Sequence, residues 1–212
     1  MIRVLIVDDH PIFREGLKSL LEDTIDIKVA GEAKSGQEAI FKVTENACDI
    51  ILLDIAMPGI GGLEALKQIK KQNAKLPVII VSMYREDQYA IRAIKGGASG
   101  YVRKSSTPDE LIDAIRIVYQ GGKYITPSLA KEMAEALSDT NDKLPHELLT
   151  DREYQVMCHI AQGISTIEIA NELCLSPRTV GTYKERILKK MSFKSSVEIA
   201  HYAITNHLID RI

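Results

Sequence analysis

The stretch Ile50-Ile51-Leu52-Leu53-Asp54 sets the fold class. A strand with one wet face alternates apolar and polar residues, whereas four apolar residues in a row, closed by a carboxylate, read as a strand buried on both faces with its charge at the end. Outward from it, Arg3 to Val7, Lys28 to Gly31, Val78 to Val81 and Gly100 to Val102 are further short apolar runs, separated by amphipathic stretches of helical period. Helix starts are marked by Ser35 with Glu38 and by Thr107-Pro108 with Glu110, in which a hydroxyl and a carboxylate satisfy otherwise orphaned backbone groups. Five strands interleaved with helices predict an α/β unit, a parallel sheet covered on both faces.

In such sheets ligands gather outside the carboxyl ends of the strands, where strand order reverses. The polar residues of this half fall there: Asp8 and Asp9 end the first strand, Asp54 the third, Ser82 the fourth, and Lys104 follows the fifth. Three converging carboxylates repel unless a divalent cation neutralises them, and an all-oxygen site with room for phosphate suits Mg²⁺. A carboxylate can attack phosphorus to form an acyl phosphate, and Asp54, rigidly placed by its buried strand, is the candidate nucleophile. Asp8, Asp9 and Asp54, with the backbone carbonyl of Ala56, are then metal ligands, and Ser82 and Lys104 grip phosphoryl oxygens. Each residue alone also fits a turn or a solvated charge. The set at successive strand ends favours the site.

Beyond Gly121-Gly122 the pattern changes. A short helix over Pro127 to Leu137 precedes the polar, aperiodic stretch Ser138 to Pro145, after which only helical patterns occur, at about 151–162, 166–173, 177–191 and 195–206. Three carry caps: Thr150 with Glu153, Ser165 with Glu168, and Ser176 ahead of Pro177. Residues 165–191 read as two helices joined by a tight turn near Cys174-Leu175-Ser176. On the second, Val180, Tyr183, Ile187 and Met191 share an inward face. Arg178, Thr182, Glu185 and Lys189, with Gly181 beside them, form a face able to enter a DNA major groove, and Lys184, Arg186, Lys190 and Lys194 flank it toward phosphates. Gly181 costs about 1 kcal/mol in a helix interior relative to Ala, which close approach of backbone to DNA would offset. Glu185 can accept from a cytosine amino group or pair with Arg178 or Lys189. An acidic protein partner for the basic helix is the alternative reading.

With 212 residues the chain is long for one domain and short for three. Its formal charge of −2 conceals a basic segment, residues 177–194, in which six Lys and Arg face Glu185 alone, so a polyanion is met locally. Cys48, Cys158 and Cys174 are odd in number and lack CxxC spacing, which argues against disulfides and structural zinc. The N-terminus runs into Asp8-Asp9 too soon for a signal peptide, and no apolar run is long enough to span a bilayer, so a cytoplasmic protein without a membrane partner is expected.

Val7-Asp8-Asp9-His10, Leu53-Asp54-Ile55-Ala56-Met57-Pro58-Gly59, Val81-Ser82 and Tyr101-Val102-Arg103-Lys104 resemble the signature of response-regulator receiver domains. Leu149-Thr150-Asp151-Arg152-Glu153, Gly163, Ile169-Ala170 and Leu175-Ser176-Pro177-Arg178-Thr179-Val180 resemble the LuxR-type helix-turn-helix. Together they are similar to the NarL/FixJ class. The resemblance implies a flavodoxin-like receiver over residues 1–121, a linker with a short helix over 122–145, and an all-α four-helix DNA-binding domain over 146–212. It implies Mg²⁺-dependent phosphorylation of Asp54 by a partner histidine kinase, an aromatic switch at Tyr101, and a regulator rather than an enzyme. Double-stranded DNA, met through residues that include Thr179, is the implied target, with a homodimer through the last helix when active and RNA polymerase as a further partner. Ser105 stands where many receivers have a proline, often after a cis peptide, and a non-proline cis bond is costly. Gly181, Tyr183 and Glu185 stand where members often carry lysine, histidine and lysine, so their base contacts do not transfer. A phosphohydrolase built on Asp54 is the enzyme alternative, but such enzymes usually need a second acid where Ala56 stands.

Overall fold

A computed structural model describes residues 1–45, 48–84, 86–138, 144–206 and 208–209. The chain divides into two compact units, Met1–Ala130 and Lys131–Ile212. The first holds a five-stranded parallel sheet, β1 (Ile2–Val7), β2 (Ile27–Ala33), β3 (Ile50–Leu53), β4 (Val78–Ser82) and β5 (Gly100–Arg103), in the spatial order β2-β1-β3-β4-β5. Helices α1 (Pro11–Glu22), α2 (Gly36–Glu45), α3 (Gly62–Gln72), α4 (Glu86–Lys95) and α5 (Pro108–Tyr119) follow the strands in turn. Every residue of β3 is buried, because the strand lies mid-sheet with helices on both faces. The core combines Ile6, Ile50, Leu52 and Ile79 of the sheet with Leu21 of α1 and Ile115 of α5.

The sheet order places β1 beside β3, so the strand sequence reverses between them and opens a crevice at their carboxyl ends. Register then carries the polar residues to one edge: Val7 pairs with Leu53, and Ser82 with Arg103. The backbone ladder continues one step further, with Asp54 N–H donating to the Val7 carbonyl at 2.9 Å and Lys104 N–H to the Ser82 carbonyl at 2.7 Å.

The first unit runs past residue 121. Tyr124 forms a β-bridge with Gly100, and the division falls inside α6 (Pro127–Ser138), so residues 122–130, assigned by sequence to the linker, belong with the sheet. Residues 139–143 of that expected linker, and 210–212 of the expected C-terminal domain, lie outside the described residues. Among the described residues no peptide bond is cis, so the Lys104–Ser105 bond is trans.

The second unit contains a 3-10 turn, Pro145–Leu148, which polar composition had concealed, and helices α7 (Asp151–Ala161), α8 (Thr166–Glu172), α9 (Pro177–Met191) and α10 (Ser196–Thr205). The caps are those the spacing predicts: Thr150 with Glu153 and Ser165 with Glu168 form capping boxes, and the Ser176 hydroxyl accepts from Thr179 N–H. The short turn between α8 and α9 forces Cys174 to φ +49°, a left-handed conformation uncommon outside glycine.

Candidate functional site

Asp8 and Asp54, 2% and 1% exposed, face each other across the β1–β3 crevice. Lys104 reaches between them from the end of β5, its Nζ 2.5 Å from Asp8 Oδ2 and 2.7 Å from Asp54 Oδ2. Burial pushes the Asp54 carboxyl above the usual carboxylate range, and Asp8 adds to that while Lys104 opposes it. Burial would lower the Lys104 ammonium, but Asp54 and Asp8 hold it above its ordinary value. Asp9 completes the set. Three carboxylates against one ammonium leave two negative charges, the charge of one divalent cation.

Donor atoms of Asp8, Asp9, His10 and Asp54 lie within 4.8 Å of one another. Hard carboxylate oxygens at this spacing fit Mg²⁺. His10 is the N-cap residue of α1, with Nδ1 3.2 Å from Asp8 Oδ1 and 3.1 Å from Asp9 Oδ1. Ala56 N–H points at Asp54 Oδ1 at 3.2 Å. The Ser82 hydroxyl is fully buried and accepts from Tyr84 N–H at 3.2 Å. Tyr101, 1% exposed, donates its hydroxyl to the Tyr84 carbonyl at 2.9 Å, so Ser82 and Tyr101 hold the same loop.

Three residues around this centre escaped the sequence reading. Arg14 donates to the Asp8 carbonyl at 2.8 Å, and Phe13 lies under Lys104, whose Nζ is 4.5 Å from the ring centroid. Gly62, the first residue of α3, packs so closely on the strand end that a Cβ there would sit 1.8 Å from the Asp54 carbonyl oxygen. The density of Gly59, Gly61 and Gly62 just after Asp54 was the available signal for close backbone approach.

In the second unit, α9 buries Val180, Ile187 and Met191 and exposes Arg178, Thr182, Glu185, Arg186 and Lys189, with Gly181 and Lys184 half-buried at the margin. Ser176, Arg178, Thr179, Thr182, Tyr183 and Arg186 line a polar groove of about 270 Å³ at the start of the helix. Thr179 is held by the cap, its Oγ1 2.8 Å from the Ser176 hydroxyl. On α10, Ile199 and Ala203 are core, while Val197 is 76% exposed.

Lys190, placed by sequence among the phosphate contacts, has an internal partner. Its Nζ lies 2.6 Å from Oε2 of Glu153, which is itself buried and caps α7 through Thr150 N–H at 2.8 Å. The pair ties the end of α9 to the start of α7. Loss of one partner of a fully buried pair costs about 3–5 kcal/mol, and the 37% exposure of Lys190 discounts this to roughly 1–2 kcal/mol. Lys190→Ala is therefore expected to lower the unfolding midpoint of this unit while leaving the salt dependence of DNA binding intact. Lys189→Ala, fully on the outer face, should flatten that dependence by about one unit of slope. Titrations at several salt concentrations separate the two, and a flattened slope in Lys190→Ala would return that residue to the phosphate contacts.

Comparison with known proteins covers both units. Residues 4–116 match the family model described as response regulator receiver domain, and residues 147–203 the model described as bacterial regulatory proteins, luxR family. The chain is 39% identical over 209 residues to response regulator UvrY of Escherichia coli K12, covering 98% of this chain and 96% of that protein. It is 38% identical over 211 residues to response regulator GacA of Pseudomonas viridiflava, covering 99% of each. The solved structure of RcsB from Salmonella enterica serovar Typhimurium, bound to promoter rprA in the presence of the phosphomimetic BeF₃⁻, superposes with a TM-score of 0.63 over 95% of this chain and 97% of that one. At 23% identity that likeness concerns the fold alone. Among the described residues no helix is long and apolar enough to cross a membrane.

Proposed function

This chain belongs to the two-component response regulators that join a receiver domain to a LuxR-type DNA-binding domain, and from that premise we propose that phosphorylation of Asp54 by a histidine kinase controls the binding of α9 to double-stranded DNA. The observation that carries the reading is the buried Asp8–Lys104–Asp54 bridge at the β1–β3 crevice. Asp54 is the nucleophile: its carboxylate oxygen bonds to phosphorus, and the bond from phosphorus to the donor's imidazole nitrogen breaks with its electron pair leaving on nitrogen. Asp8, Asp9 and Asp54, with the Ala56 carbonyl, would hold Mg²⁺, which when bound supplies neutralising charge to the transferring group. The Asp54 oxygen is pre-aimed by Ala56 N–H.

The acyl phosphate brings new oxygens to the crevice, and the Lys104 ammonium and Ser82 hydroxyl are the donors within the unit that answer to them. Movement of Ser82 is felt at Tyr101 through the shared Tyr84 loop. That coupling is the switch, and the DNA-binding unit is its output. UvrY and GacA are both named response regulators, and residues 147–203 match the luxR family of bacterial regulatory proteins, which supports DNA as the target here. The exposed Val197 on α10 supports a homodimer in the active state, and a cytoplasmic location suits both the kinase and the DNA.

The test measures duplex binding by the full chain with and without a small phosphodonor and Mg²⁺. Affinity for a selected duplex is expected to rise about tenfold, a coupling of roughly 1.4 kcal/mol. Equal affinities under conditions where the chain is labelled would overturn the switch.

A further inference from the structure

Resting on the reading of the β1–β3 crevice as a divalent-cation site, we propose that His10 is a ligand there and that the crevice thereby takes a first-row transition ion as well as Mg²⁺. The ring is not spent on the helix it precedes. As the N-cap residue of α1, His10 uses its backbone, whose N–H donates to Asp8 Oδ1 at 2.8 Å, while its side chain caps nothing. Nδ1 instead faces two carboxylate oxygens, Asp8 Oδ1 at 3.2 Å and Asp9 Oδ1 at 3.1 Å. Toward Asp8 that separation is a hydrogen bond. Toward Asp9 it is not: Asp9 Oδ1 is shut off from solvent and accepts no hydrogen bond among the described residues, although a nitrogen stands 3.1 Å away. A carboxylate oxygen so placed is unfavourable unless a cation meets it.

The spacing is that of a coordination edge. Ligand bonds of about 2.0–2.2 Å set about 90–100° apart place neighbouring donors roughly 3 Å from each other, which is how Nδ1 stands to both oxygens. An ion bound there needs only the tautomer of the neutral ring that carries its proton on Nε2, which leaves the Nδ1 lone pair free. It also leaves the resting bridge intact, because Lys104 holds Asp8 and Asp54 through their Oδ2 atoms, whereas the ion takes the Oδ1 side of Asp8. The His10 side chain is 64% exposed, which gives the ion a way in. Donor chemistry then sets the class of ion. Mg²⁺ prefers oxygen and retains several waters, so an imidazole adds little to its binding, while first-row transition ions gain from nitrogen, Co²⁺ and Ni²⁺ more than Mn²⁺. His10 therefore tells the two classes apart: it holds the transition ion and stands aside from Mg²⁺.

The experiment titrates the full chain and its His10→Gln variant with Co²⁺ alone and with Mg²⁺ alone, and records proton NMR spectra of the Co²⁺-loaded chains. The wild type is expected to bind Co²⁺ at least about tenfold more tightly than Mg²⁺, and His10→Gln to lose about tenfold toward Co²⁺ but less than about twofold toward Mg²⁺. Glutamine keeps a polar side chain at the start of α1 without an imidazole nitrogen, and the unchanged Mg²⁺ affinity shows that the crevice is still formed. The Co²⁺-loaded wild type should also show an exchangeable imidazole N–H resonance shifted far outside the diamagnetic range. Its absence from His10→Gln assigns it to His10 among the five histidines of the chain. An unchanged Co²⁺ affinity in His10→Gln, an equal loss for both ions, or a shifted resonance that persists in the variant overturns His10 as a ligand. A wild-type chain that binds neither ion brings down the cation site itself, and with it the Mg²⁺ reading beneath this one.

Discussion

Asp54→Asn is expected to take up no phosphoryl group from a small phosphodonor in the presence of Mg²⁺, whereas the wild-type chain gains one. Asparagine keeps the shape at the end of β3 and the acceptor facing Ala56 N–H, but its neutral amide is no nucleophile toward phosphorus. The loss should be complete rather than graded. It should also be free of unfolding. The substitution removes one of two buried like charges, and Lys104 retains Asp8 as its partner at 2.5 Å, so the unfolding midpoint is expected not to fall. Chelation of divalent cations should silence the wild type in the same way, since Asp8, Asp9 and Asp54 are proposed to act only with their repulsion neutralised. Intact-mass measurement of both chains decides the matter. A single label that persists in Asp54→Asn would place the phosphoacceptor elsewhere.

Gly62→Ala is expected to be the most destabilising single methyl that can be added near this site. The new Cβ would stand 1.8 Å from the Asp54 carbonyl oxygen and 2.8 Å from Ile55 Cα, both backbone atoms that no rotamer change can move aside. Either α3 shifts off the strand end, breaking the Gly62 N–H bond to the Ile55 carbonyl at 3.0 Å, or the Asp54 backbone is displaced. Overpacking usually costs about 1–3 kcal/mol, and a clash this close with the Asp54–Ile55 backbone puts this change at about 3 kcal/mol or beyond. Gly16→Ala supplies the contrast, because Gly16 lies inside α1 with nothing within 4 Å of its added Cβ. That variant should gain up to about 1 kcal/mol from helix propensity alone. Denaturant unfolding of the two variants measures both signs, and Gly62→Ala should also phosphorylate more slowly. Similar midpoints for the two would mean that the tight packing at Asp54 has no energetic consequence.

Much of the architecture follows from interactions that span four residues or fewer. The apolar run 50–53, the alternation of strands with amphipathic helices, and the caps at Thr107, Thr150, Ser165 and Ser176 are local, so they are written in the order of the residues, and the structure repeats them with ends shifted by a residue or two. The convergence of Asp8, Asp9, Asp54 and Lys104 was legible for a related reason. A parallel sheet puts all its strand ends on one edge whatever the strand order, so residues that follow strands must gather. Which of them touch was not legible. Lys104 and Asp54 are 50 residues apart and meet because only β4 separates β3 from β5, and Asp8 joins them because β1 lies beside β3, a choice made by packing across the sheet rather than by any stretch of the chain. The same holds for Lys190, which reads as one more cation of a basic helix until the fold of the second unit brings Glu153 within 2.6 Å, 37 residues away. Gly62 and Gly181 mark the limit most clearly: the same residue type is required at one position by a backbone 1.8 Å from its absent side chain and stands at the other in open space. A side chain's neighbours are set by which elements pack together, and that is decided only when the whole core closes.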